Sequence, residues 1–471
     1  MLFSSYVFVF AFLPLTLLIF YILGHFFTSS VPQKLFIVVA SLICYGWFNP
    51  SYVLILATSV AVNYSLNLLI VRTGHKKIGI AAGVVFNLLL LGWFKYRDFF
   101  VDNLNAVFKA DLPLRHILLP LGISFFTFQQ LSFLVNSYRK EAQTPSLPDY
   151  LFFVTFFPQL VAGPIVSYED VSSQLQDFRQ SPVPENIGAG IYAFSMGLFK
   201  KLVIADTVSV FADNVFSMTD TPAFPAAAAG VLAYTLQIYF DFSGYSDMAV
   251  GLGKMFNIDL PMNFDLPYRS SSVSEFWRRW HITLGRSLLT LVYIPLGGNR
   301  KGKARTCVNY MITFLVSGLW HGASWTFVVW GALHGLAVCA ERLMKRPLPK
   351  KLGTVLTFVF VSLVWVLFRA ESFSSAVNVW SGLVNFADMD LSSLKAVSSD
   401  GIVGLPWELA LILVTVILAA ALVLAVLPKK NLYKRCRAVE FDTKAGLTTA
   451  VAFIMAVVCM SRSQVFIYFN F

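Results

Sequence analysis

Apolar positions in this chain fall into long runs that few charges interrupt. They lie near 3–27, 34–48, 51–71, 78–94, 117–136, 150–166, 188–205, 226–253, 307–340, 352–369, 406–427 and 445–461, and Gly, Pro, Asn and charged residues fill the connectors. Runs of this kind predict membrane helices, since about 20 apolar residues cross a hydrocarbon core roughly 30 Å thick. The chain contains no fixed-period repeat, no low-complexity tract and no insertion the size of a soluble domain. The pattern therefore predicts an all-α, polytopic membrane protein with about 11–13 membrane segments, re-entrant helices included. It reads as one domain over 1–471, with 466–471 as a tail. The first run, Phe3–Phe27, lacks a basic leader and a small-residue cleavage site, so it reads as a span rather than a removable signal.

Composition agrees. Apolar residues make up 57% and charged residues 13%, against about 45–50% and about 25% in soluble domains. This excludes an ordinary soluble enzyme, a disordered scaffold and a disulfide-rich module. Lys and Arg number 36 against 25 Asp and Glu, a net charge of +11. In a membrane protein that excess belongs to cytoplasmic loops and does not point to nucleic acid. The five cysteines are scattered, with no C-x-x-C spacing, so neither a disulfide framework nor a metal site is expected.

The basic residues also suggest sidedness. Residues 254–306 hold nine Lys/Arg, 341–351 hold five and 429–444 hold six, whereas 371–405 hold only Lys395. The first three stretches are expected in the cytoplasm and the last outside. The 307–340 run has basic flanks on both sides, so it should enter from the cytoplasm and return. Its apex falls near Gly318–Trp325.

That apex carries His321, and an ionisable residue deep in a membrane is a functional hypothesis by default. Trp320 and Trp325 would exclude water, and a buried neutral imidazole can act as a base. The plainer alternative is a structural histidine bonded to a carbonyl. The adjacent Gly322 would let a backbone or ligand approach. His281 lies in the amphipathic segment Glu275–Leu284, which is too charged to span. There Arg278 and Arg279 can meet the phosphates of a nucleotide-containing donor or anchor lipid headgroups. His334 reads as packing. The run Gln237–Met248 buries Asp241 and Asp247, which need partners. Arg269, Arg278 and Arg279 are candidates for a helix-locking ion-pair network. Val161–Ile165 should break its segment.

Taken in order, several motifs resemble the membrane-bound O-acyltransferase (MBOAT) family, in particular its bacterial branch that O-acetylates exported polysaccharides. They are Met1–Ser5, Leu118–Phe125, Ala162-Gly163-Pro164, Tyr239–Asp247, Phe276–His281, Gly297–Arg300 and Trp320-His321-Gly322. The resemblance covers nearly the whole chain. It implies an MBOAT-like fold with His321 as the catalytic hallmark and His281 as a second functional residue on the same tunnel. It also implies an inner-membrane enzyme that moves an acetyl group from a cytoplasmic thioester, acetyl-CoA above all. The recipient would be an exported polymer such as alginate, cellulose or peptidoglycan, reached through a periplasmic acetyltransferase partner. The ending Phe466–Phe471, F-x-Y-x-x-F, is similar to a tail of polysaccharide-acetylating relatives in which the tyrosine, here Tyr468, carries the acyl group. An aromatic anchor at the interface is the alternative for this ending.

Two positions depart from the family pattern. Leu289-Thr290 replaces a usual Arg-Asp pair, and Gly285 replaces a usual serine. Rival classes are a transporter or flippase for a lipid-linked glycan, which would favour internal repeats, and an acyltransferase acting on lipid or protein.

Overall fold

Every regular element among the described residues is helical. A chain this apolar gains most from helices because they satisfy their own backbone polar groups where water is scarce. The computed structural model describes residues 1–73, 75–139, 144–344, 346–394, 407–428, 430–436, 442–462, 464 and 466–467. In chain order the helices are α1 (Leu13–Phe26), α2 (Val31–Gly46), α3 (Ser51–Arg72), α4 (Lys76–Leu91), α5 (Arg97–Phe108), α6 (Ile123–Arg139) and α7 (Leu147–Thr155). After them come α8 (Phe157–Leu160), α9 (Tyr168–Gln176), α10 (Pro184–Leu198), α11 (Asp206–Phe216), α12 (Phe224–Met255), α13 (Val273–Arg279) and α14 (Ile282–Leu288). The last are α15 (Gly302–His321), α16 (Trp325–Leu343), α17 (Lys350–Arg369), α18 (Phe373–Val384), α19 (Trp407–Val426), α20 (Leu432–Cys436) and α21 (Thr443–Cys459).

Among the described residues, five helical stretches are long and apolar enough to cross a membrane: Phe8–Phe26, Ser51–Arg72, Lys76–Phe108, Pro184–Phe216 and Lys350–Arg369. Wide π turns keep three of them continuous: Phe8–Phe12 leads into α1, Gly92–Tyr96 joins α4 to α5, and Phe199–Ala205 joins α10 to α11. The apolar run at 150–166 is broken twice, at Phe156, which the sequence did not signal, and over Val161–Ile165, as expected. Pro158 starts the short α8, and irregular backbone follows around Pro164.

Packing divides the chain into two units. The first comprises Met1–Phe194, Met248–Met262 and Arg286–Leu291. Buried amides link its helices. Asn87 on α4 donates to the Asn63 side-chain oxygen on α3 at 2.7 Å, and Gln130 on α6 donates to the Ser59 hydroxyl at 2.9 Å. Lys34 on α2 reaches Asp149 on α7 at 2.6 Å.

The second unit comprises Ser195–Asp247, Asn263–Gly285 and Val292–Phe471. At its centre α15 and α16 form a tight hairpin whose turn, Gly322–Ser324, falls at the expected apex. Gly318 permits the close approach, since a Cβ there would stand 2.2 Å from the Phe327 carbonyl oxygen. A Cβ on Gly322 would meet the Phe327 ring at 2.1 Å. The space beside this glycine is therefore filled by the protein's own ring, where the sequence suggested room for a ligand or another backbone.

Candidate functional site

The site is built in the second unit, starting from α13. The Ser272 hydroxyl accepts from the Glu275 N–H at 3.0 Å, and the Glu341 carboxylate of α16 accepts from the N–H groups of Val273 and Ser274. These bonds satisfy the first turn, where a helix has no internal acceptors. The helix ends at Trp280, and His281 takes φ 45°. A residue with a side chain rarely enters this left-handed region. The chain then restarts at Ile282, whose N–H donates to the Asn263 carbonyl at 3.0 Å.

Asn263 holds this reversal. Its side-chain oxygen lies 3.2 Å from His281 Nδ1 and accepts from the Thr283 N–H at 3.2 Å and the Thr283 hydroxyl at 2.9 Å. Its amide nitrogen donates to Ser246 Oγ on α12 at 3.3 Å. A carbonyl oxygen can only accept, so His281 Nδ1 must donate, and the lone pair of a neutral ring sits on Nε2. His281 is wholly buried.

His321, the last residue of α15, is also buried, but rings surround it. Its centroid lies 4.9 Å from Trp320, 5.1 Å from Trp330 and 5.1 Å from Phe368, all near edge-on. Trp365 stacks on Trp330 at 5.8 Å. The two histidines come from separate elements, and their ring centroids are 6.3 Å apart. Trp320 bridges them, 5.8 Å from His281, and Phe242 of α12 closes the far side of His281 at 4.7 Å. Such a box excludes water while leaving imidazole nitrogens as its principal reactive groups.

His334 accepts a hydrogen bond from Trp277 Nε1 at 3.2 Å and packs between Trp277 and Trp330. Its role is to tie α13 to α16.

A cavity of about 620 Å³ opens between α13, α16 and α17, with Glu275, Arg278, Tyr310, Glu341 and Arg342 in its wall. Arg278 is exposed there, whereas Arg279 pairs with Glu275 one turn back at 2.7 Å. Burial pulls the Glu275 carboxyl upward, but hydrogen bonds from Ser271 and the Arg279 charge outweigh it and hold the group below the usual carboxylate range. Ring contacts connect the cavity wall to the histidines: Phe360 to His334 at 5.5 Å, His334 to Trp330 at 4.9 Å, and Trp330 to His321.

The two carboxylates of α12 do form ion pairs that lock helices, but with other partners than expected. Asp241 pairs with Lys201 at 2.7 Å, and Asp247 pairs with Lys200 at 2.5 Å. Lys201 also reaches Asp206 at 2.7 Å. Arg269 instead donates to the Pro428 carbonyl at 2.6 Å, and Arg279 is held by Glu275. The physical reason lies in the π turn at Phe199–Ala205, which brings two consecutive lysines within ion-pair distance of α12. Phe466 is buried against Tyr245, with ring centroids 4.7 Å apart. Tyr468 lies outside the described residues.

Sequence reasoning missed Asn263, Lys200, Lys201 and Asp206. Two cations in one apolar run and two carboxylates in another are a complementary set that could have signalled the lysines. Asn263 carries no comparable signal, because an asparagine in an irregular stretch is ordinary.

A model of the MBOAT, membrane-bound O-acyltransferase family matches residues 85–352. The peptidoglycan O-acetyltransferase of Helicobacter pylori is 40% identical over 436 residues, covering 85% of this chain and 83% of that protein. The probable alginate O-acetylase AlgI of Pseudomonas aeruginosa is 39% identical over 415 residues, covering 85% and 78%. The teichoic acid D-alanyltransferase of Bacillus subtilis is 25% identical over 287 residues, covering 55% and 71%.

Proposed function

The chain belongs to the membrane-bound O-acyltransferase family, and from that premise we propose that it acetylates an exported polysaccharide across the inner membrane. The acetyl group comes from a cytoplasmic thioester, acetyl-CoA in the simplest case. The observation that carries this reading is the meeting of His281 and His321 inside one aromatic box. A relative named for peptidoglycan and another named for alginate make those polymers the first candidates.

An acceptor hydroxyl attacks the thioester carbonyl, forming a C–O bond as the C–S bond breaks. His321 takes the hydroxyl proton and returns it to the departing thiolate. His281, fixed by Asn263, orients the reacting groups, and the surrounding rings keep water from hydrolysing the thioester. Arg278 and Arg342 in the cavity wall suit the phosphates of the donor. The acceptor is the Tyr468 phenol, whose aryl ester stays activated enough to pass the acetyl group to a periplasmic acetyltransferase partner.

His321→Ala tests this reading. Polymer-bound acetate should fall by roughly a hundredfold or more, the scale of lost acid–base catalysis, while membrane insertion stays normal. Full acetylation by the inserted variant would remove His321 from the chemistry.

A further inference from the structure

Three buried charges take no part in that mechanism. Lys201 stands 2.7 Å from both Asp206 and Asp241, and all three side chains are buried. One lysine neutralises one of two carboxylates, so the cluster retains the need for further donors, because buried charge is costly unless hydrogen-bonded. The donors come from far along the chain. The Gln464 N–H donates to Asp206 at 3.1 Å, and the Ile467 N–H donates to Asp241 at 2.9 Å. In return, two backbone N–H groups acquire the acceptors that buried main chain requires.

We propose that Lys201, Asp206 and Asp241 are positioning residues that grip the 464–467 segment by its backbone. They thereby seat Phe466 beside Phe242, the ring that packs on His281. The consequence for acyl transfer rests on the reading of Tyr468 given above. Lysine fixes the spacing of the two carboxylates, and each carboxylate then engages one N–H of the segment. The main-chain bonds set location, and the Phe466 ring, stacked on Tyr245, sets register. A main-chain grip leaves the side chains available. Phe466, between the two held N–H groups, stacks on Tyr245 and lies 5.8 Å from Phe242, the same ring that packs on His281. Tyr468 follows Ile467 directly in the chain.

The test uses the full chain in lipid nanodiscs and separates seating from chemistry. Ile467→Pro deletes one held N–H without touching the cluster, Ile467→Ala keeps it, and Asp241→Leu removes the acceptor. Lys201 is left intact, because two uncompensated carboxylates would endanger folding. Amide hydrogen exchange over 460–467 reports seating, and polymer-bound acetate reports transfer. Ile467→Pro and Asp241→Leu should speed exchange and lower acetylation by roughly tenfold or more, the scale of a charge-assisted hydrogen bond. Ile467→Ala should behave like the parent. Unchanged exchange in folded Asp241→Leu overturns the grip. Faster exchange with full acetylation overturns the positioning role if Tyr468→Phe is inactive. If Tyr468→Phe is also fully active, it is the carrier reading that falls.

Discussion

His281 and His321 are the same residue type a few ångströms apart, yet different forces hold them. His281 is set by hydrogen bonds, with Asn263 fixing its Nδ1 while the backbone turns through a left-handed conformation. His321 ends a regular helix and is set by packing, with Trp320, Trp330 and Phe368 against its ring. Hydrogen bonds specify a tautomer and a direction, whereas edge-on rings restrict motion and exclude water. The comparison teaches that the two rings divide the work between them. In the function proposed above, the orienting member is the one held by hydrogen bonds and the member that exchanges protons is the one packed among rings.

Asn263→Leu should break this comparison most sharply. It removes the acceptor that His281 and Thr283 share, and a misplaced ring should lower acetyl transfer by up to roughly a hundredfold with membrane levels preserved. Initial rates with acetyl-CoA would measure it. A normal rate would mean that hydrogen bonding does not set His281. Gly318→Ala probes the packed half. Its new Cβ would meet main chain, so the hairpin must spread, and thermal stability in detergent should drop by about 1–3 kcal/mol together with activity. Activity lost without destabilisation would argue against packing as the control on His321. The smallest effects concern the arginines. Arg278→Ala should raise the Michaelis constant for the donor severalfold, whereas Arg279→Ala should change stability by less than about 1 kcal/mol and leave that constant unchanged.

The helical class and the α15–α16 hairpin were legible because apolar runs and basic flanks are local properties of the chain. His321 was legible for the same reason, as an imidazole at the apex of an apolar hairpin. The histidine pairing was open to inference only through family motifs, since no spacing rule connects a short, charged helix with a hairpin apex. The ion pairs of Asp241 and Asp247 defeated sequence reasoning at the level of partner choice. Arginines of the nearby basic segment were the obvious candidates, but a π turn in a different helix supplies lysines within ion-pair distance. Asn263 was hidden altogether, because its importance lies in three donors that converge on one oxygen only after folding.

The left-handed backbone at residue 281 bears on how this position can vary. At most buried sites alanine is the mildest truncation, and glycine adds a penalty of its own through extra freedom in the unfolded chain. At 281 the order inverts. Both replacements vacate the space of the imidazole ring, but only glycine adopts φ 45° without the roughly 1–2 kcal/mol that a Cβ incurs there. In a population of variants screened for folding alone, glycine would be the accessible neighbour of histidine at this site. The strain at 281 is therefore a cost that the buried ring, packed on Phe242 and Trp320 and bonded to Asn263, must offset.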